Sequence, residues 1–168
     1  METALPRTIL SPIALASRDQ VLKVISANRL ERVEQVCHEL LEVNTRDMSP
    51  DEPGVRACVA AVIEGVLAAL GSSRTRVLES AMHAVARFAA QREGVDALTV
   101  ATIIKDAASV IEVAESDPDL EVAIRAALAV CDQLLGPDRD KVIAFLGVAL
   151  ADTSRPKESE LKTPTDSP

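Results

Sequence analysis

The side chains able to do chemistry are few and scattered. His38 and His83 are the only histidines, and Cys37, Cys58 and Cys131 the only cysteines, in 168 residues. A metal or haem held by helical side chains needs ligands three or four positions apart, so that they share a face. His83 has no second His or Cys at that distance, and no Cys-x-x-Cys-His run occurs. The cysteines lie far apart at apolar positions of helical patterns, which suits small buried hydrophobes in a reducing compartment. A nucleophilic Ser or Cys would need a base within reach, and no elbow or glycine-rich turn sets one up. Glu115, Asp117, Asp119 and Glu121 could attract a cation, but they lack the glycine and the closing bidentate Glu of a calcium loop. Acidic residues at a helix start also suit the helix dipole. The expectation is a protein that is not an enzyme, with no catalytic residues, no cofactor and no metal site.

The elements around these residues are all helical. From Val77 to Val113 two apolar-striped segments meet at the corner Glu93-Gly94-Val95-Asp96. Leu78, Ala81, Met82, Val85, Phe88 and Ala89 recur at three- and four-residue steps before it, as do Val100, Ile103, Ile104, Ala107 and Ile111 after it. Gly94 is expected to take the left-handed cap of the first helix, and Asp96 to accept from the free amides of the second. Earlier, residues 1–16 read as a flexible N-terminal arm, because Pro6 and Pro12 interrupt any periodicity, and Ser17 is expected to cap the first long helix. That helix covers Val21 to Leu41, with a drop in propensity at Ser26-Ala27-Asn28 that leaves one helix or two open. A Pro- and Gly-containing loop over 43–54 precedes a stripe from Val55 to Leu70 that ends at Gly71. Pro118 opens a further helix that stops at Gly136-Pro137, and a last short one spans Arg139 to Leu150. The reading is all-α: a single compact bundle of about six helices over 17–152, with a disordered polar tail over 153–168.

Composition narrows the function classes. With no Trp, no Tyr and only Phe88 and Phe145, the chain lacks the aromatic faces on which sugars, bases and methylated lysines stack. A net charge of −8 repels nucleic acid and anionic lipid over most of the surface. The first residues form neither a signal-peptide core nor a membrane span, and the chain is read as cytoplasmic.

Two resemblances meet at the central corner. Ala90, Gly94, Val95, Thr99, Val100 and Ile103 stand at the spacing of lac-repressor-like helix-turn-helix motifs, which would make residues 90–104 a DNA-reading unit. Its recognition helix would carry one lysine, no arginine, and no Asn or Gln to read base edges. The order of helices, with ARFAAQREGVDALTVATIIKDAASVIEVA followed by LEVAIRAALAVCDQLL, is similar over roughly Val21 to Leu135 to the non-haem, globin-like N-terminal domains of stressosome RsbR-type regulators. That resemblance implies a globin-like bundle serving as a dimeric sensory or protein-interaction module. The polar stretch after Leu150 is not expected to hold the phosphorylatable domain that such modules precede.

The function read from these features is a non-catalytic regulatory or protein-interaction module, a signalling or scaffold component acting through helix-face contacts. Its partners are expected to be another protein and a second copy of itself, with neither nucleic acid nor membrane engaged. Ala60, Ala61, Glu64 and Ala68, and Val110, Val113 and Ala114, lie outside the main stripes and are the expected contact residues. The alternatives are the helix-turn-helix regulator and a small-ligand sensor with a site inside the bundle.

Overall fold

In a computed structural model, residues 11–49, 52–92, 95–114 and 117–147 are described, with the side chains of 113, 114, 117 and 118 left aside. Helix α1 spans Pro12–Ser26, α2 Val33–Asn44, α3 Pro53–Leu67, α4 Arg74–Gln91, α5 Ala97–Ala114 and α6 Asp117–Leu135, and helical residues continue over 139–147. Single 3-10 turns at Leu30–Arg32, Gly71–Ser73 and Gly136–Asp138 lead into the helices that follow them. There is no strand among the described residues. The protein is a compact all-helical bundle.

The start of α1 corrects the expected arm over 1–16. Ser11, not Ser17, caps the helix: its hydroxyl accepts from the Ala14 amide at 3.2 Å, and Pro12 takes the opening position. Proline has no amide hydrogen to lose there and its φ is already helical, so the residue that seemed to interrupt the helix begins it. Ser17 lies inside the helix, fully buried, and donates to the Val62 carbonyl of α3 at 2.8 Å. The remainder of the arm (1–10), the end of the expected domain (148–152), the tail (153–168) and Gly94 lie outside the described residues.

Between α1 and α2 the chain does break. Asn28 takes φ 60°, a left-handed conformation that Asn tolerates better than most residues, and separates two helices that share one apolar pattern.

Helix α4 is the axis of the bundle. Beyond its expected stripe it also buries Val77, Ala84 and Ala86, and so presents an unusually wide apolar face, with Glu79, His83 and Arg87 on the side left over. A face that wide needs several partners, and α4 packs against α2, α3, α5 and α6. The two outer helices α1 and α3 cross closely. At Gly65 an added Cβ would stand 2.2 Å from the Ala14 carbonyl oxygen and 2.6 Å from the Ser17 Cβ, so only glycine fits this crossing. Among the described residues no single helix is long and apolar enough to cross a membrane.

Candidate functional site

The histidines and cysteines come first. His83 of α4 stands 3.8 Å (Nδ1) from Glu34 of α2, which also takes a 2.6 Å ion pair from Arg87. His38 faces Glu42 on its own helix at 3.7 Å. No group of three or more His, Cys, Asp or Glu residues among those described could hold a metal ion. All three thiols are buried and free. Burial pushes the Cys37 thiol up to about 12, with the Glu34 charge adding to the effect. Burial likewise raises Cys58 and Cys131 to about 11, opposed by Arg92 at the former and by Arg139 at the latter. Thiols held protonated in this way are poor nucleophiles. Of the acidic run at the start of α6, Asp119 is paired with Arg74 at 3.1 Å and Glu121 with Arg125 at 2.6 Å.

The central corner holds at its described half. The Asp96 carboxylate accepts from the Thr99 amide at 2.8 Å, capping α5 as expected. That hydrogen bonding, to the Thr99 side chain first and its amide second, holds the Asp96 carboxyl below its ordinary value. Beyond the cap, Val100, Ala101, Ile103, Ile104, Ala107, Ala108 and Ile111 are buried, and α5 packs against α3, α4 and α6. Its solvent side over the proposed recognition stretch offers Leu98, exposed by 53%, and the single cation Lys105. Asp106, the next residue, is already engaged by Arg56 of α3.

That Arg56–Asp106 contact marks the edge of the surface proposed for partner binding. The guanidinium grips both carboxylate oxygens, Nε to Oδ2 at 2.5 Å and Nη2 to Oδ1 at 2.9 Å, and ties α3 to α5. A bidentate fork of this kind fixes direction as well as distance. Beside it a shallow groove is lined by Pro53, Arg56, Ala57, Ala60 and Asp106. The outer face of α3 continues the groove with small side chains: Ala57 and Ala68 exposed, Ala60 half-buried, and Glu64 exposed among them. Ala61 is more enclosed than expected, at 8% exposure, because it lies toward the core side of this face. Val110 is half-buried against the core, which leaves it little to present outward. Val113 and Ala114 belong to α5, and their side chains lie outside those described.

Sequence reasoning missed Pro53, Arg56, Ala57 and Asp106. Ala57 could have been found by extending the small-residue spacing one turn back from Ala60 and Ala61. The Arg56–Asp106 fork could not, because its residues are 50 positions apart and only the packing of α3 on α5 joins them.

Compared with protein-family models, with curated proteins and with solved structures, the chain matches none.

Proposed function

We propose that this chain is a non-catalytic regulatory module that works by binding protein through the outer face of α3. The observation that carries the reading is that exposed face, where Ala57, Ala60 and Ala68 leave the helix backbone approachable and the Arg56–Asp106 fork forms one wall. Small side chains allow a second helix to approach to the short end of the usual 8–10 Å axial separation. Charged groups at the rim then fix orientation. A cytoplasmic setting agrees with three free, buried thiols. A globin-like regulator of the stressosome type is the specific form of module that the helix order suggests.

The test is a photo-crosslinking residue placed at Ala57 in the full chain and, as control, at the exposed Gln133 of α6. Crosslinks to a protein, formed at Ala57 in clear excess over Gln133 and resolved by mass spectrometry, are the expected result. Equal yields at the two positions would sink the proposal.

A further inference from the structure

We propose that the occupant of the α3 face is a second copy of this chain, its α3 crossing the first antiparallel about Ala60. This inference rests on the reading of that face as an interaction surface and names what binds there. The argument is one of self-complementarity. An exposed cation, Arg56, stands four residues before Ala60, and an exposed anion, Glu64, stands four residues after it. Residues four apart form a ridge on a helix surface, and two helices crossing at about −50° bring such ridges into line.

When the two helices are identical and related by a two-fold axis through Ala60, the ridge 56–60–64 runs beside 64–60–56 of its mate. Arg56 then meets Glu64 of the second copy, and the symmetry makes the same pair a second time. A parallel crossing would instead place Arg56 against Arg56 and Glu64 against Glu64, so the charges select one direction. Ala60 at the centre has no side chain beyond Cβ to hold the axes apart. The Asp106 fork uses Nε and Nη2 of Arg56, and guanidinium has a further donor nitrogen, Nη1, for another carboxylate. Because each chain carries a net charge of −8, two copies repel at long range, and local pairs of opposite sign are what such a contact needs.

One helix pair is smaller than a standard interface, so the dimer is of the micromolar class and is best read by sedimentation velocity over about 5–300 µM. The full-length wild type is expected to move from one-copy to two-copy mass across that range. Glu64→Arg sets Arg against Arg across the axis, and Arg56→Glu sets Glu against Glu; each is expected to associate roughly tenfold or more weakly. An equimolar mixture of the two variants, one carrying two cations on the ridge and the other two anions, should recover the two-copy mass. Thermal melting accompanies each variant, and Glu64→Arg decides alone if Arg56→Glu loosens the fold by losing Asp106, since Glu64 is exposed and makes no fork.

A wild type that stays monomeric across the range overturns the proposal. So does a dimer that neither substitution weakens. If the wild type is monomeric while the Ala57 crosslinker captures a different protein, the interaction reading stands and the second copy falls. If the Ala57 yield also fails to exceed that at Gln133, both fall.

Discussion

Arg92, just past the end of α4, donates to the Met48 carbonyl at 2.6 Å. The same guanidinium reaches the Thr45 carbonyl at 3.3 Å and the Thr45 hydroxyl at 3.2 Å, and lies 4.8 Å from the centre of the Phe88 ring. One side chain therefore binds the loop after α2 to the end of the central helix, immediately before the corner into α5. The Thr45 carbonyl already accepts from the Met48 amide at 3.0 Å, and a planar cation with several donors can reach it and the Met48 carbonyl at once. Arg92→Ala should cost about 1–3 kcal/mol, read by urea unfolding, with faster amide exchange confined at first to residues 45–49. Arg92→Lys, which keeps the charge but not the fork, should fall between. Equal stability of all three chains would show the clasp to be idle.

At the α1–α3 crossing the expected effect is larger. An alanine at Gly65 would drive its Cβ against the Ala14 carbonyl and the Arg18 amide, at 2.2 and 2.8 Å, and backbone cannot swing aside as a flexible side chain can. Gly65→Ala should lower stability by roughly 2–4 kcal/mol, despite alanine's better helix propensity, because overpacking outweighs that gain of about 1 kcal/mol. A denaturation midpoint at or above the wild-type value would contradict the close crossing.

The cap at the central corner is open to a smaller test. Asp96→Ala removes the acceptor for the Thr99 amide and should cost about 1 kcal/mol, whereas Asp96→Asn should be nearly neutral. Because the folded state holds this carboxyl below its ordinary value, its contribution is present above that ordinary value and is lost as pH falls through the lowered one. The cost of Asp96→Ala should therefore shrink in acid. Circular dichroism melts at pH 7 and near pH 3 measure both effects.

The thiols give a signature at the other end of the pH scale. With folded values of about 12 for Cys37 and about 11 for Cys58 and Cys131, against 9.0 unfolded, the unfolded chain loses its thiol protons first as pH rises. Their contribution is complete below about pH 9 and declines above it, by up to ~1.4 kcal/mol per pH unit for each thiol. At pH 8 a disulfide reagent should label the native protein slowly, at the rate of unfolding, and all three cysteines at once in urea. Rapid labelling of one native cysteine would mark an exposed, activated thiol at that position.

Ile103, 1% exposed in α5, links the helical pattern to the core itself. Ile103→Asp places an unpaired carboxylate among apolar side chains and should cost several kcal/mol, enough to leave the chain largely unfolded. A cooperative melt near the wild-type temperature would mean that the buried face of α5 is wrongly assigned.

Much of this fold was legible in the amino-acid sequence, because helical periodicity and its punctuation are local. The three- and four-residue steps in α4 and α5, the cap at Asp96 and the stop at Gly136 each depend on a few neighbouring residues, and each appears in the structure where its pattern stood; at Ser26-Ala27-Asn28 the pattern left one helix or two open, and the structure shows two. The local reading failed at Pro12, since proline both ends and begins helices, and the Ser11 cap decides between them. Tertiary structure alone decided what meets across the chain: Gly65 against Ala14, Ser17 on the Val62 carbonyl, Arg92 over the 45–48 loop and Arg56 on Asp106. These contacts join residues 44 to 51 positions apart, and their partners are chosen by how whole helices pack rather than by any spacing within one. The α3 face lies between the two. Its alanines are written in the sequence, but which of them look outward, and which charged groups border them, follows only from α1 and α5 covering the flanks of α3.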